Sequence, residues 1–508
     1  MTKGMTKSVV SYSMNNYLSV YIVAFISILY LAFLVSSAQR GVFFSSDGGV
    51  KYLMVRQLSG GHGFKYMYLP QPQWVQQIWS GGFFPFKPPF LYPSPGGYLF
   101  VFPPAFQIMS SFFYTHFGDA GLYVLPVAST LLLWLSVILV LRRCSIAPPL
   151  VAAALFILVF CSPLTLYGAI YWEHMTAILF LFAGLSFLVR PSSSPRMAIV
   201  LGFLSGLAVW FRPEAMMMNA LYAAALIYLY TRERGRNTIL FLISLSAGFG
   251  SFLLFNRMEY GSFLGVHGRQ VLTNSVEGGV EVNPIHNLIA NNLINFRHFP
   301  FILLLAPVIF VWLRYRRHLQ IRTLLLIAIA LLYSILTPFM VPNDGGREWG
   351  ARYFLPLITV VLLALLLVEK EWDLQPPIWA TVIAVLIAAY SFQHNTYKGG
   401  IDTLVWENHH RITPDLKFLD QQPGKVVVVP LPYIAMELGY TFYDKYFFLA
   451  PDDSSLHRLL PQLKRQGITH YTYIYDVRVP GARPGSLDTL SVWPLENGDF
   501  EFREHAIP

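Results

Sequence analysis

Long apolar runs alternate with short polar connectors along most of the chain. Runs long enough to cross a bilayer, or nearly so, occupy 17–36, 120–141, 149–168, 174–190, 197–211, 215–230, 238–256, 300–313, 322–340, 353–368 and 377–393. A spanning helix needs about 20 apolar residues, so the pattern predicts about eleven transmembrane helices. The runs at 197–211 and 300–313 are short enough to be tilted or re-entrant. Beyond about residue 394 the hydropathy falls. There Thr413-Pro414-Asp415 reads as a helix start, with threonine as cap and proline in the first turn, and Gly424 as its stop. Lys425 to Val429 and Ile468 to Tyr475 read as strands, separated by a helical stretch near 453–466 that Pro461 interrupts. The expected fold class is a polytopic α-helical membrane protein over 1–393, followed by a small extracytoplasmic α/β domain over 394–508.

The long loop at 37–118 divides in two. From Gly48 to Ser59, Val50, Leu53, Met54 and Leu58 recur near helical spacing, with Lys51, Arg56 and Gln57 between them. This predicts an amphipathic helix on the membrane surface. From Gly60 onward Gly, Pro and aromatic residues dominate, as in Phe83-Phe84-Pro85-Phe86-Lys87-Pro88-Pro89, and predict an irregular aromatic loop at the interface.

Composition narrows the class. The 508 residues are 55% hydrophobic and only 12% charged, with mean hydropathy +0.49, which a single water-soluble core cannot accommodate. A formal charge of +9 would suit nucleic acid. Here, however, the arginines crowd into short connectors: Arg142-Arg143, Arg190 with Arg196, Arg232 with Arg234 and Arg236, and Arg314 with Arg316, Arg317 and Arg322. These fall on alternate sides of successive runs and so share one side, which the positive-inside rule makes cytoplasmic. The N-terminus is then inside and the C-terminal region outside. Lys3 and Lys7 precede the first run, with no convincing small-residue cleavage site, so that run reads as a retained anchor. Cys144 and Cys161 lie at and within spans, and no structural disulfide is expected.

The opposite side collects the chemistry. It receives Asp47, the sole acidic residue before Asp119. It also receives Tyr171-Trp172-Glu173-His174, Phe211-Arg212-Pro213-Glu214, the 257–299 loop, and the segment from Asn343 to Tyr353 with Arg347-Glu348-Trp349-Gly350-Ala351-Arg352. Each has a plain structural reading beside the functional one. Asp47 also suits a helix N-cap, and Glu173 the start of a membrane helix. Arg212 and Glu214 could pair across Pro213. Arg352 starts a membrane helix at the end whose dipole disfavours a cation, which points to function. Gly48 and Gly49 leave room for a ligand beside Asp47.

These motifs, in this order and on one side, resemble the GT-C clan of membrane glycosyltransferases. Within it they are similar to the protein O-mannosyltransferase-like and aminoarabinose-transferase-like branch, glycosyltransferase family 39-like. The motifs carrying the resemblance are Asp47, Lys51-Tyr52, Trp172-Glu173-His174, Phe211 to Glu214 and Gly345 to Tyr353. The resemblance implies transfer of a sugar from a polyprenyl-phosphate carrier to a glycan, lipid or protein acceptor at the outer face, with Asp47 as general base. One carboxylate acting in a direct displacement implies inversion. A donor phosphate needs interfacial cations, for which Arg352, Arg212, Lys51, Arg56 and Lys87 are candidates. Tyr52, Glu173, His174, Glu214 and Glu348 are candidates for positioning substrate. Between Gly48 and Gly118 the chain has no Asp or Glu, whose oxygens Mg²⁺ and Mn²⁺ prefer. A monophosphate donor without metal or other cofactor is therefore expected, although Glu173, His174 and Glu348 form an alternative ligand set. The expected place is a bacterial cytoplasmic membrane, with an extracytoplasmic active face. The rival readings are a ligase using a diphosphate-linked glycan and a transporter or flippase for a lipid-linked sugar; the apolar span centres disfavour transport.

Overall fold

Every apolar run of the sequence becomes helix. The computed structural model describes residues 3–38, 41, 43, 46–88, 90–233, 235–266, 284–315, 318–340, 349–350, 352–372, 378–476, 489–494 and 500–507. It divides into two compact units, one of Met1–Ser36 with Leu125–Ile401 and one of Ser37–Val124 with Asp402–Pro508. The first outer loop therefore shares a unit with the C-terminal region, whereas the linear reading divided the chain at 393.

The first unit is helical. Its elements include Lys3–Ser36, Pro148–Phe160, His174–Val189, Pro195–Leu207, Ala215–Glu233, Arg236–Tyr260, Leu305–Tyr315, Ile321–Met340, Leu355–Trp372 and Ile378–Phe392. Among the described residues, 5 helices are long and apolar enough to cross a membrane, or up to 6 if Ile285–His298 and Pro300–Tyr315, bent by 100°, form one broken span. Helix Pro284–His298 falls where the sequence suggested only loop. Asn287, Asn291, Asn292 and Asn295 dilute its hydropathy and hide it from a window average.

These helices turn apolar side chains outward. Phe25, Ile243, Leu254 and Leu386 are each more than half exposed, the reverse of a water-soluble bundle. Inside, small residues let helices approach closely. A Cβ on Gly202 would sit 2.3 Å from the Phe241 carbonyl oxygen, and one on Gly206 2.3 Å from that of Leu245. Glycines four residues apart thus seat Pro195–Leu207 against Arg236–Tyr260, the packing that lipid-embedded helices favour. The basic ends gather. Arg322 donates to the Leu188 carbonyl at 2.7 Å and to Glu233, Arg190 donates to the Arg143 carbonyl, and Lys370 to that of Cys144.

In the second unit, helix Ser46–Ser59 does not lie exposed on a surface as its amphipathic pattern suggested. Val50, Lys51, Tyr52, Leu53, Met54 and Val55 are each at most 1% exposed, so both faces are covered. Helices Ala105–Phe117 and Pro432–Glu437 do the covering. Gly49 shows why this position is glycine: a Cβ would sit 1.8 Å from the Met436 carbonyl oxygen. A Cβ on Gly48 would sit 2.9 Å from Cβ of Phe43. These two glycines serve protein packing, rather than leaving open room for a ligand.

The stretch after Gly60 is also more regular than expected. It holds helix Gln73–Ile78, the hairpin β1 (Leu91–Ser94) and β2 (Gly97–Phe100), and helix Ala105–Phe117, which contains no Gly or Pro. Trp79 Nε1 donates to the Phe447 carbonyl at 2.8 Å, and Gln71 Nε2 to that of Phe442 at 3.2 Å. The C-terminal sheet has the order β4-β3-β5-β7-β6, from β3 (Val426–Val429), β4 (Tyr446–Leu449), β5 (His470–Asp476), β6 (Thr489–Pro494) and β7 (Phe500–Ala506). β3 pairs in parallel with β4 and β5, while β7 runs antiparallel to β5 and β6. Only β3 and β5 were predicted. Helix Asp453–Arg465 carries Pro461 and buries Leu456, Leu459, Leu460 and Leu463, each contributing roughly 1.5–3 kcal/mol. Asp452 and Ser455 close its start as a capping box.

Candidate functional site

Three connectors that are remote in sequence bring charged groups together in the helical unit. Glu173 sits at the start of helix His174–Val189. Arg212 and Glu214 flank Pro213 in the turn before Ala215–Glu233, and Arg352 opens the 3₁₀ turn that leads into Leu355–Trp372. The Arg212 guanidinium donates through Nη1 to Glu173 Oε1 at 3.0 Å and through Nη2 to Glu214 Oε1 at 2.8 Å. The expected pairing of Arg212 with Glu214 across Pro213 is thus met, with Glu173 as a second carboxylate. Burial opposes the charge on Arg212, but Glu214 and Glu173 outweigh it and hold its proton more tightly than in an ordinary arginine.

Arg352 is placed differently. Its Nη2 donates to the Tyr353 hydroxyl at 3.2 Å, and its guanidinium lies 5.8 Å from the Trp172 ring centre and 5.0 Å from that of Tyr353. Such faces attract a cation through the ring quadrupole. Tyr333 donates to the Tyr353 carbonyl at 2.8 Å and fixes that turn. His174 packs against the rings of Trp172 and Tyr167, at 4.7 and 5.0 Å. Arg212, Glu214, Arg352, Tyr333, Tyr353 and His174 line a cavity of about 20 Å³, room for about one water. Tyr353 closes the Gly345 to Tyr353 motif, whereas Tyr333 was not singled out from the sequence. A tyrosine inside an apolar run, needing a hydroxyl partner, was the available signal for Tyr333. A larger cavity, about 380 Å³, lies toward the Arg322 end among Tyr228, Trp312, Leu324 and Leu331, and its lining suits hydrocarbon rather than chemistry.

The other candidates ride on the second unit. Asp47 lies in the first turn of Ser46–Ser59, inside the helix rather than at the cap position, and is partly buried. Lys51 is fully buried, with its ammonium 4.7 Å from the Phe102 ring centre. Tyr52 is buried, its hydroxyl 3.3 Å from that of Tyr114, and its ring stacks on Tyr440. Burial and the Tyr114 contact push its phenol up. Arg56 bonds the Tyr440 carbonyl at 3.4 Å, lies 3.6 Å from the Asp444 carboxylate and covers the Tyr443 ring. Lys51, Tyr52 and Arg56 are thereby engaged inside their own unit: Phe102 and Tyr114 of the first outer loop meet Lys51 and Tyr52, and the C-terminal region supplies Tyr440 to Tyr52 and Tyr440, Tyr443 and Asp444 to Arg56. Lys87 is exposed. Glu348 lies outside the described residues.

The helical arrangement is that of known membrane glycosyltransferases. The structure superposes on ArnT from Cupriavidus metallidurans bound to undecaprenyl phosphate with TM-score 0.56 and 12% identity, over 96% of this chain and 98% of that one. It also matches that ArnT in the apo state, with TM-score 0.52 and 12% identity, over 95% of this chain and 97% of that one. The apo oligosaccharyltransferase of Archaeoglobus fulgidus gives TM-score 0.52 and 13% identity, over 92% of this chain and 70% of that one. No protein-family model matches the sequence, and no curated protein matches it. At this identity the likeness establishes a shared fold, the GT-C fold that the sequence motifs resemble.

Proposed function

We propose that the chain is an inverting membrane glycosyltransferase that takes a sugar from a polyprenyl-monophosphate carrier and passes it to an acceptor at the extracytoplasmic face. The observation that carries this reading is the convergence of Glu173, Arg212, Glu214 and Arg352 within a helical unit of GT-C fold. The ArnT that shares the fold was seen with undecaprenyl phosphate, and a lipid phosphate of that class is the donor carrier assigned here. Asp47 takes the proton of the acceptor hydroxyl as the new glycosidic bond forms. The bond from the sugar carbon to phosphate oxygen breaks, and that oxygen keeps the electron pair as lipid phosphate leaves.

Arg352 is assigned to the departing phosphate. Arg352 stands at the start of the turn leading into helix Leu355–Trp372, the end whose dipole disfavours a cation, and a bound anion offsets that placement. Arg352→Ala is expected to reduce turnover about 10–100-fold, the worth of a hydrogen bond to a charged group. Arg352→Lys keeps the charge but loses the planar fork, and falls in between. Steady-state kinetics with a polyprenyl-phosphate sugar reads both, and unchanged kinetics in the alanine variant removes the assignment.

The decisive assay incubates purified protein with a panel of polyprenyl-monophosphate sugars and follows donor consumption. The second reading, a ligase for a diphosphate-linked glycan, draws support from the likeness to the Archaeoglobus oligosaccharyltransferase. Turnover of diphosphate donors alone would replace the first reading with it. Eleven spans with an outer C-terminal region are the topology assigned. A reporter fused after about residue 400 should be active only outside the cytoplasm, and activity confined to the cytoplasm reverses the orientation.

A further inference from the structure

Helix Pro284–His298 is amphipathic in the opposite sense to a soluble helix. Ile285, Ile289 and Leu293 are 66%, 55% and 60% exposed. Asn287, Asn291, Asn295 and His298 face inward at 7%, 0%, 4% and 8%. The four-residue spacing of the asparagines puts them on one stripe. A helix in lipid that turns amides inward and hydrocarbon outward is built to line something polar.

The stripe continues onto the neighbouring segments. The His298 ring lies 4.5 Å from that of His394 and 4.9 Å from that of Trp349, centre to centre. Trp349 Nε1 donates to Asn395 Oδ1 at 3.2 Å, and Asn395 Nδ2 to the His298 carbonyl at 2.8 Å. Five buried atoms along this seam have no hydrogen-bond partner among the described residues: Asn291 Oδ1, Asn295 Nδ2, His298 Nδ1, Ser391 Oγ and His394 Nε2. A buried polar atom left unpaired costs about 1–3 kcal/mol, so so many in one place require something that both donates and accepts. Burial, with Arg297 and Lys398 nearby, pushes the His394 imidazole down to about 4, so it is neutral at physiological pH. The seam groups are amide, hydroxyl, imidazole and indole. An uncharged polyol with an apolar face matches that set better than a phosphate.

We propose that this seam is a carbohydrate subsite, in which Asn291, Asn295 and His394 exchange hydrogen bonds with sugar hydroxyls and Trp349 offers its ring to the C–H face of the sugar. It is separate from the Arg212 and Arg352 cluster. It rests on the transferase reading only for whether the sugar belongs to the donor or to the acceptor.

The test uses the full chain in lipid nanodiscs with methyl glycosides of mannose, glucose, galactose and arabinose as probes, and saturation-transfer NMR as the readout. Wild-type protein should bind at least one glycoside. Asn291→Leu and Asn295→Leu should each weaken that binding about tenfold, with melting temperature unchanged or raised, because each removes an orphaned amide atom. Trp349→Leu supplies a further variant should a leucine substitution fail to fold. No glycoside binding by wild type, or undiminished binding in the folded variants, overturns the subsite. With a polyprenyl-phosphate sugar, impaired donor hydrolysis in the absence of acceptor assigns the seam to the donor sugar. Impaired transfer with normal hydrolysis assigns it to the acceptor. Glycoside binding without any donor turnover would sink the transferase reading and leave the subsite standing, whereas donor turnover with unaltered KM values in both asparagine variants does the reverse.

Discussion

Asp47→Asn should fold, bind donor and lose sugar transfer by about 10²–10⁴-fold, the range a positioned general base contributes. The substitution preserves the shape of the side chain and removes only its ability to take a proton. The structural alternative is much smaller. Asp47 stands in the first turn of Ser46–Ser59, where a carboxylate gains about 0.3–1 kcal/mol from the helix dipole. If that were its whole role, the variant would melt slightly lower and turn over normally. Gly48 and Gly49 sharpen the experiment. Their Cα positions are closed by Phe43 and the Met436 carbonyl, so the first turn is held by packing that the Asp47 substitution does not touch. Turnover with a polyprenyl-phosphate sugar, measured beside the melting curve, separates the readings. Near-normal kcat in a folded Asp47→Asn protein ends the proposed mechanism.

Arg212→Leu should destabilise the helical unit by about 3–5 kcal/mol, the cost of stranding a buried charge. Here two carboxylates lose an ion pair. The Glu173 side chain is 4% exposed and that of Glu214 18%, and both lean on the same guanidinium. The measurement is the thermal midpoint in detergent, compared with that of the triple variant Arg212→Leu, Glu173→Gln, Glu214→Gln. The triple variant should recover much of the loss, because it removes both carboxylates together with the guanidinium that neutralised them. An Arg212→Leu protein that melts like wild type would overturn the account of this cluster as the tie between the 173 and 212 connectors.

The sequence by itself determined the helices of the apolar runs, their membrane character and the shared side of the basic connectors. Those features follow from local hydropathy and charge, which neighbouring residues express without help from the rest of the chain. The close meeting of Arg322, Leu188 and Glu233 joins ends that charge alone had already put on one side. The motif order from Asp47 to Tyr353 likewise pointed to the GT-C fold that the structural likeness establishes. What tertiary structure decided concerns partners. That Arg212 holds both Glu173 and Glu214, while Arg352 lies on Trp172 and Tyr353, depends on contacts across as many as 180 positions that no spacing rule encodes. Helix Ser46–Ser59 has the pattern of a surface helix, yet Lys51 is buried in it, because helix Pro432–Glu437 covers the face that its own residues leave half polar. Helix Pro284–His298 was hidden for the converse reason: its asparagines lower the local hydropathy, and only the fold shows them turned inward and its isoleucines turned out.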